Sequence, residues 1–343
     1  MTLRDRIQNL VQLGERLGPD NEFLEAILKR TEYRNGWFTL ENQRNAIEAI
    51  RSHFLQAAML EDWVSHYDLL PESSDQKVGL VMAGNIPLVG FHDWMCIYLG
   101  GYQCKVKLSE KDPFLFPYLI KLMEEIDPHN AGQTQFIEKL TGFDAVIATG
   151  SNNSARYFEA YFAKYPSIIR KNRHAVAVLT GEETADDIQD LGNDIFQYFG
   201  LGCRNVSKLY LPEGYDLQPM LEGLHEFRQV MLHQKYKNNF DYNYSILELN
   251  RTPYYNNGCL IMIEEPSLHS RIACMHFSYY QALPTLGQEL VQAQEEIQCV
   301  VSKGQKLPVE NLAQVGFGQA QKPALDDYTD GVDTLAFLAG LGA

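Results

Sequence analysis

One cysteine stands in a turn-like segment that could hold a reactive thiol. The segment YFGLGCRNVSKLYLP places Cys203 directly after Gly202 and before an apolar run of strand length. A thiolate attacks carbonyl carbons, and a thiol with an ordinary pKa near ~8.5 needs surroundings that favour the thiolate. Buried cysteines are more often inert, small apolar side chains. The pattern alone leaves Cys203 open between a nucleophile and a packing residue.

Two polar residues follow predicted strands, where they could assist such chemistry. Asn85 precedes Pro87 in AGNIP, so its amide could donate to a developing oxyanion from a rigid turn. Lys107 ends the strand QCKVKL, within reach of a ribose or a phosphate. However, turn asparagines commonly bond their own backbone, and a lone lysine at a strand end is commonly solvated. Both interpretations stay open for both residues.

A third loop, TGSNNS, has the residue types of a phosphate site. Gly150 permits a close approach of the backbone, and Ser151 offers a hydroxyl where a helix is predicted to begin. Free backbone N–H groups and the positive end of the helix dipole favour an anion at such a position. The alternative is that the serine and asparagine residues only cap the helix.

These loops belong to a segment in which apolar runs alternate with helical patterns. VGLVMA, QCKVKL, FDAVIAT and HAVAVLT have the length and composition of buried strands, with helical patterns after the first three. Such alternation is typical of βαβ units, whose parallel sheets bind ligands at the carboxyl ends of their strands. We predict an α/β fold with a Rossmann-type parallel sheet, in which AGNIP, KLSEKDP and TGSNNS share one edge.

The flanking segments add helices and a second group of strands. MTLRDRIQNLVQLGERLG has the apolar spacing of an amphipathic helix. Thr184 and Asp187 have the spacing of a capping box, before a helix that is predicted to extend to Gly200. Beyond Gly200, NVSKLYLP and GCLIMI predict two further strands with a helix between them. A chain of 343 residues is long enough for two such domains.

Composition excludes several classes of function. The net charge is −15 and no basic run is present, which argues against nucleic-acid binding and against docking on anionic membranes. No apolar stretch approaches the ~20 residues of a spanning helix, and no signal-peptide core occurs, so we expect a cytoplasmic protein. The six cysteines form no CxxC pair and the nine histidines show no HxxxH spacing, so we expect reduced thiols and no metal site.

The order of these motifs resembles that in the aldehyde dehydrogenase superfamily. VGLVMAGNIPLVGFHDWMCIYLGGYQCKVKLSEKDP is similar to its strand–PWNFP–helix–AGN–strand–KPSE stretch. FDAVIATGSNNSAR resembles its FTGS cofactor loop, and GLGCRNVSKLYLP resembles the segment of its catalytic cysteine. HQKYKNNFDYNYSILELN and VGFGQAQKPALDDYTDGVDTL look like the fatty acyl-CoA reductases of the bacterial luminescence type. The resemblance covers about residues 75 to 335.

The resemblance implies a nicotinamide cofactor. It would be held by the backbone of Met82, Ala83 and Gly84 at the nicotinamide, by Lys107, Ser109 and Glu110 at the adenosine ribose, and by Gly150 and Ser151 at the pyrophosphate. A carboxylate at Glu110 would accept a hydrogen bond from the ribose of NADH and repel the 2′-phosphate of NADPH. Lys107 and Lys111 would offset that repulsion. We predict NADPH as the cofactor, with NADH tolerated.

The resemblance also implies a reaction. Cys203 matches the nucleophile, and Asn85 matches the asparagine that forms the oxyanion hole with the backbone N–H of that nucleophile. The implied function is the NAD(P)H-dependent reduction of long-chain fatty acyl-CoA to aldehyde through a thioacyl cysteine, with release of coenzyme A. A homo-oligomer is expected.

Departures from the superfamily pattern leave two alternatives. Where hydrolytic members carry a water-activating glutamate in ELGG, this chain has Leu179, with Glu182 and Glu183 just beyond. The ExFGP glutamate that holds the nicotinamide ribose is not evident, and CMHFSYY, the nearest candidate, has His276 instead. One alternative is a hydrolytic aldehyde dehydrogenase that uses Glu182 or Glu183 as its base. The other is a non-catalytic scaffold subunit of an acyl-transfer complex.

The predicted organisation has four parts. Residues 1–75 form a helical segment that packs on the cofactor domain, and residues 76–180 form the Rossmann-like NAD(P)-binding domain. Residues 181–310 form the catalytic domain with its nucleophilic cysteine. Residues 311–343 form a C-terminal segment.

Overall fold

The computed structural model describes residues 1–304 and 307–342. They form two compact units, of which the first contains Met1–Asn172 and the segment from Ala324 onward, and the second contains Arg173–Pro323. Each unit combines helices with a mainly parallel sheet, so the chain is an α/β protein as predicted.

The first unit opens with four helices and continues with alternating strands and helices. Its helices are α1 (Leu3–Arg16), α2 (Glu22–Arg34), α3 (Leu40–His53), α4 (Ala57–Val64), α5 (Phe91–Leu99), α6 (Leu115–Ile126), α7 (Asn152–Phe162) and α12 (Thr334–Ala339). Its strands are β1 (Lys77–Val81), β2 (Gln103–Lys107), β3 (Thr134–Phe136), β4 (Ala145–Thr149) and β5 (Ser167–Arg170). Short 3₁₀ turns span Pro128–Asn130 and Thr329–Gly331.

The predicted N-terminal amphipathic helix is confirmed as α1. Thr2 caps it, with Asp5 completing a capping box, and its buried face contains Ile7, Leu10 and Leu13. These side chains share one hydrophobic core with β1, β2 and α5. Burial of each large aliphatic side chain stabilises the fold by roughly 1.5–3 kcal/mol, so this apolar face fixes α1 against the sheet layer.

The sheet of the first unit is five-stranded and entirely parallel, in the order β3-β2-β1-β4-β5. The chain winds outward from β1 through β2 to β3, and then from β4 to β5 on the other side. The winding direction therefore reverses between β1 and β4, which is where doubly wound sheets form a crevice for ligands.

The second unit contains the remaining elements. Its strands are β6 (His174–Val178), β7 (Val206–Pro212), β8 (Tyr255–Asn256), β9 (Ile261–Glu264), β10 (Cys274–Tyr280), β11 (Ile297–Ser302) and β12 (Gln314–Val315). Its helices are α8 (Ala185–Phe196), α9 (Leu217–Leu224), α10 (Gln234–Asn250) and α11 (Leu283–Gln292), with 3₁₀ segments at Gln197–Gly200 and His225–Leu232. The strands form one sheet in the order β12-β11-β6-β7-β10-β9-β8, and β8 is its antiparallel edge.

The division of the chain differs from the predicted boundaries at 75, 180 and 310. Residues 1–75 share the core of the first sheet, and HAVAVLT does not extend that sheet as predicted. Instead β6 pairs with β7 and β11, which puts the division at 172/173. Residues 311–323 belong to the second unit, whereas the segment from Ala324 onward belongs to the first.

The connection between β1 and α5 is an irregular loop. The helix starts at Phe91, and Pro87 lies in the preceding turn. Leu88 has a φ of 56°, which an α-helix does not accommodate, so the loop of residues 82–90 stays irregular.

Among the described residues, no helix is long and apolar enough to cross a membrane.

Candidate active site

Three of the predicted loops leave neighbouring strands at the carboxyl edge of the first sheet. Val81, the last residue of β1, pairs with Lys107, the last residue of β2, and with Ala148 near the end of β4. The loops that begin at Met82, Leu108 and Gly150 therefore leave the sheet side by side, at the point where its winding reverses. The candidate cofactor residues lie on these three loops.

The first two loops are in direct contact. The Met82 N–H donates to the Lys107 carbonyl oxygen at 3.1 Å, which extends the β1–β2 ladder by one bond. A Cβ at position 84 would lie 2.4 Å from Ser109 Oγ, so only glycine permits this approach. Ser109 Oγ in turn accepts a hydrogen bond from the Lys111 N–H at 3.3 Å. Gly84 thus sets the spacing between the two loops.

The third loop joins β4 to α7. Ser151 is the N-cap of α7, and its Oγ accepts a hydrogen bond from the Ser154 N–H at 3.3 Å. A Cβ on Gly150 would lie 2.8 Å from Ser154 Cβ and 2.9 Å from Phe158 Cε2. The glycine therefore lets the helix pack closely against the strand, and the N-terminal end of α7 faces the crevice edge of the sheet. A negatively charged pyrophosphate fits this arrangement.

The remaining candidates in the first unit differ in exposure. Lys107 and Glu110 are exposed, whereas Ala83, Asn85 and Ser109 are half-buried. Exposed charged side chains at the rim of the crevice can rotate toward a ribose. Asn85 lies in the irregular loop of residues 82–90, ahead of the left-handed Leu88.

Cys203 lies in the second unit, on the turn that precedes the central strand β7. The side chain of Asn205, only 2% exposed, holds this turn. The Gly202 N–H donates to Asn205 Oδ1 at 2.8 Å, while Asn205 Nδ2 donates to the carbonyl oxygens of Asp194 (3.0 Å) and Gln197 (2.8 Å). The Asn205 N–H also donates to the Gly202 carbonyl oxygen at 3.1 Å. One buried amide therefore ties the cysteine turn to the end of α8.

The backbone just before the cysteine is strained. Tyr198 and Phe199 have φ values of 53° and 57°, and Gly200 follows with 75°. Left-handed non-glycine residues cost on the order of 1–3 kcal/mol each and cluster at functional sites. The predicted capping box of Thr184 and Asp187 is confirmed, but α8 ends at Phe196 rather than at Gly200 because of this left-handed turn.

The segment after β12 is fixed to the same region. Both carboxylate oxygens of Asp194 accept backbone hydrogen bonds, from the Gly318 N–H at 2.7 Å and the Ala320 N–H at 3.0 Å. Arg204 Nη1 donates to the Ala320 carbonyl oxygen at 3.5 Å. Burial raises the pKa of Asp194 to about 6, although the two N–H donors oppose the shift. The GFGQA motif thus packs against the residue that follows Cys203.

Exposure separates Cys203 from the other cysteines. Cys203 is half-buried, and the five others are buried: Cys96, Cys104, Cys259, Cys274 and Cys299. Burial raises the thiol pKa of Cys259 and Cys274 to about 11, and raises those of Cys96 and Cys104 still further. These four thiols stay protonated near pH 7, which makes them poor nucleophiles.

The two candidate carboxylates of the loop after β6 differ in their surroundings. Leu179 is completely buried. Glu183 Oε1 accepts hydrogen bonds from the Thr180 N–H (2.7 Å) and hydroxyl (3.0 Å), and its Oε2 accepts one from the Gly181 N–H (3.0 Å). Glu182 is exposed. The carboxylate of Glu183 is therefore engaged by its own loop.

His276, the candidate from CMHFSYY, lies in the middle of β10. Its Nδ1 is 2.9 Å from the Ser267 carbonyl oxygen, and burial lowers its pKa. Asn205 was not predicted as a site residue, although it lies two residues after Cys203. An asparagine between a turn and a strand gives no signal of its own in sequence.

Comparison with known proteins gives the fold. No protein-family model and no curated protein matches the sequence. The solved structure of an oxidoreductase from Marinobacter aquaeolei is similar, with a TM-score of 0.72 and 10% identity over 99% of this chain and 84% of the other.

Two aldehyde dehydrogenases are also similar. Aldehyde dehydrogenase 21 from Physcomitrella patens, solved with the reaction product succinate, has a TM-score of 0.70 and 13% identity over 99% of this chain and 84% of the other. An aldehyde dehydrogenase from Bacillus cereus, solved with NAD⁺, has a TM-score of 0.65 and 13% identity over 92% and 76%. The chain therefore has the fold of the aldehyde dehydrogenases, as the sequence predicted.

Proposed function

We propose that the protein reduces long-chain fatty acyl-CoA to aldehyde with NADPH, tolerating NADH, through a thioacyl intermediate on Cys203. The fold, the half-buried cysteine on a strained turn and the doubly wound sheet with its three loops support an oxidoreductase with a nicotinamide cofactor. The sequence resemblance to the acyl-CoA reductases supports the substrate class. We further propose that it works as a cytoplasmic homo-oligomer, which sedimentation velocity would test.

The first half-reaction needs only residues of this chain and the thioester. The Cys203 thiolate attacks the carbonyl carbon, and a sulfur–carbon bond forms as the carbonyl oxygen becomes an oxyanion. We assign the Asn85 amide and the Cys203 backbone N–H as donors to that oxygen. The carbonyl re-forms, the bond to coenzyme A breaks, and coenzyme A leaves as a thiolate that takes a proton from solvent.

The cofactor, when bound, supplies a hydride to the thioester carbon. The residues that would hold it are Met82, Ala83, Gly84, Lys107, Ser109, Glu110, Gly150 and Ser151. Because Gly150 has no Cβ, the backbone can approach the pyrophosphate closely, and the N-terminal end of α7 suits its negative charge. The oxyanion of the resulting thiohemiacetal collapses to the aldehyde, and the carbon–sulfur bond breaks to regenerate the Cys203 thiolate.

The side chains of the loop after β6 favour reduction over hydrolysis. A thioacyl enzyme survives long enough to be reduced only if no base activates water beside it. Leu179 offers a buried hydrocarbon side chain near the position of the water-activating glutamate, and the carboxylate of Glu183 accepts three hydrogen bonds from its own loop. These contacts argue against a hydrolytic enzyme that uses Glu183.

Acylation without cofactor tests the proposal. Intact-mass measurement after incubation with a long-chain acyl-CoA should show one added acyl group in the wild type and in Cys259→Ala. Cys203→Ala should show none and should form no aldehyde, because burial raises the pKa of thiols such as Cys259 and Cys274 and keeps them protonated near neutral pH. Circular dichroism checks that the variant is folded.

Two results would contradict the proposal. Acylation of Cys203→Ala would assign the nucleophile elsewhere, and absence of acylation in the wild type would favour the scaffold alternative. Release of free fatty acid instead of aldehyde on adding NADPH, abolished by Glu182→Gln, would favour a hydrolytic enzyme.

A further inference from the structure

The second unit contains a cavity that has several polar residues in its lining and that the proposed reaction does not use. Its volume is about 400 Å³, and it lies between α10, the connection from β9 to β10, and β10 itself. Asn243 and Asn250 belong to its helical wall, whereas Cys274 and His276 belong to the strand. The connection adds Glu265, Ser267, His269 and Arg271.

Basic groups gather around this cavity. His269, Arg271 and His276 line it, and Lys208 of β7 pairs in register with His276. Lys208 is fully buried, and its ammonium donates to Ser278 Oγ at 2.5 Å and to the Glu265 carbonyl oxygen. Buried cations are costly unless an anion or several acceptors compensate them.

Hydrogen bonds to neighbouring residues orient the polar side chains around the cavity. Arg271 Nη1 lies 3.5 Å from Asn243 Oδ1, and Asn243 Nδ2 donates to the Ile272 carbonyl oxygen at 2.9 Å. Asn243 is only 3% exposed, so a buried amide supports the guanidinium. Because the Nδ1 of His276 faces the Ser267 carbonyl oxygen, that nitrogen carries a proton and Nε2 is the second, titratable position.

Charges of both signs surround the cavity. Arg271 and Lys208 are cations, and the carboxylates near them are Glu265 of the lining and Glu264, both of which act on Lys208. Burial is the main cause that lowers the pKa of His276. The nearby charges of Lys208 and His269 also lower this pKa, whereas Glu265 opposes the shift. His174, whose ring centroid is 4.9 Å from that of His269, has its pKa lowered to about 4 by burial and by His269. An anion in the cavity would relieve these repulsions.

We infer that this cavity is a binding site for a phosphate group, held by Arg271, His269 and His276, with Lys208 on the neighbouring strand adding positive charge. A guanidinium presents several donors to a tetrahedral oxyanion, an imidazole N–H of His269 adds one, and the imidazolium form of His276 adds its Nε2–H. The inference concerns residues apart from Cys203 and from the nicotinamide loops, so it does not depend on the proposed acyl-CoA reduction. Free phosphate and the phosphate of a larger ligand share this chemistry.

Titration of the full-length protein with inorganic phosphate tests the site. Isothermal titration calorimetry at pH 6.5 in a phosphate-free buffer should give saturable binding in the wild type. Arg271→Gln should weaken it at least tenfold. Arg228→Gln, an exposed arginine of the same unit that is paired with Glu226 and absent from the cavity lining, should bind like the wild type.

A second readout does not depend on affinity alone. Phosphate should raise the pKa of His276, because binding favours the imidazolium. NMR of the ring protons measures this pKa, and His276→Gln assigns the resonance.

Competition by coenzyme A but not by dephospho-coenzyme A would identify a ribose 3′-phosphate as the bound group, and competition by neither would identify free phosphate. The absence of saturable phosphate binding, or equal binding by Arg271→Gln and Arg228→Gln, would overturn the inference.

Discussion

The six cysteines carry the same thiol, and their surroundings decide what each can do. Burial leaves Cys259 and Cys274 with pKa values of about 11, whereas Cys203 is half-buried on a turn between a left-handed segment and a strand. A nucleophile must reach its substrate and must be held still while it reacts. At the residue scale, the amide that holds the turn is therefore as informative as the thiol itself.

Asn205→Ala should slow acylation of Cys203 by about 10- to 100-fold. The substitution removes the acceptor for the Gly202 N–H and the donor to three carbonyl oxygens at the end of α8, so the turn loses its fixed geometry. Single-turnover acylation, measured by intact mass, should show the loss in the maximal rate rather than in the acyl-CoA concentration at half-saturation.

A matched asparagine separates positioning from general destabilisation. In the same unit, Asn257 donates to the Leu221 carbonyl oxygen at 3.0 Å and accepts from the N–H groups of Cys259 and Leu260. Asn257→Ala should lower stability to a similar degree and leave acylation within about threefold of the wild type. Equal slowing by both substitutions would show that Asn205 acts only through stability.

Glu110 should weaken NADPH binding without excluding it. Its exposed carboxylate would repel the 2′-phosphate of NADPH, and Lys107 and Lys111, which are exposed as well, would offset that repulsion. We expect kcat/KM to favour NADPH in the wild type, and Glu110→Gln to increase that preference severalfold; Glu124→Gln, exposed on α6, is the control. A tenfold preference for NADH that Glu110→Gln erases would refute the predicted cofactor.

At the scale of elements, sequence patterns predicted where strands occur better than they predicted which strands pair with each other. β1, β2 and β4 follow the predicted apolar runs, but HAVAVLT was expected beside them and instead forms β6 of the second sheet. An apolar run of five residues is equally suited to the middle of either sheet, so only tertiary packing assigns it. β3 and β5 were missed because Thr134–Phe136 and Ser167–Arg170 are too short or too mixed to give a pattern.

Helix α10 was missed for a related reason. Its buried side chains are Tyr236, Phe240 and Asn243, while Leu249 on the same helix is 79% exposed. Apolar residues on both sides erase the amphipathic period that predicts a helix. The candidate residues of the first unit were predicted through motif order, whereas Asn205 was not, because no motif contains it.

A carboxylate in the loop after β2 should make the first unit sensitive to pH. Asp112 is buried, and its Oδ2 accepts a hydrogen bond from the Leu88 N–H at 3.3 Å. Burial raises its pKa from 3.8 to about 6, although backbone N–H donors oppose the shift. Because the folded-state pKa lies above the unfolded one, stability decreases as the pH rises from about 4 to 6, by on the order of 3 kcal/mol in total.

Asp112→Asn should therefore stabilise the protein more at pH 7.5 than at pH 5, by roughly 1 kcal/mol. The amide imitates the protonated carboxyl and carries no charge that must be buried. Urea unfolding at the two pH values measures the difference, and Asp68→Asn, an exposed carboxylate of the same unit, controls for net charge. A gain that does not change with pH would mean that the carboxyl is already ionised at pH 5.

At the scale of the whole molecule, the chain leaves the first unit at Asn172 and returns to it at Ala324. The returning segment is held by specific contacts. Trp63 Nε1 donates to the Tyr328 hydroxyl at 3.1 Å, and the Tyr102 hydroxyl donates to the Leu338 carbonyl oxygen at 2.8 Å. Residues distant in sequence thus complete one core, which also explains why a linear division of the sequence does not reproduce the units.

Arg170 connects β5 to α5 and to the returning segment. It is 1% exposed at the end of β5, and its guanidinium donates to both carboxylate oxygens of Asp93 on α5, at 3.2 and 2.6 Å. It also donates to Thr334 Oγ1 at 2.8 Å and to the Thr329 carbonyl oxygen in the returning segment. Removing the carboxylate that pairs with such a buried cation leaves its charge poorly compensated.

Asp93→Ala should therefore lower the free energy of unfolding by about 3–5 kcal/mol. Tryptophan fluorescence during urea unfolding measures the loss in the first unit alone, because Trp37, Trp63 and Trp94 all lie there. The neighbouring exposed pair of Lys171 and Glu159, 2.8 Å apart, provides the control: Glu159→Gln should cost less than about 1 kcal/mol.

The double variant Asp93→Ala/Arg170→Met identifies the cause of that loss. A methionine buries no charge, so the double variant should be more stable than Asp93→Ala alone, even though the bonds to Thr329 and Thr334 are also lost. If the double variant is less stable than the single one, the two losses add, and the cost of Asp93→Ala arises from packing rather than from an unpaired guanidinium.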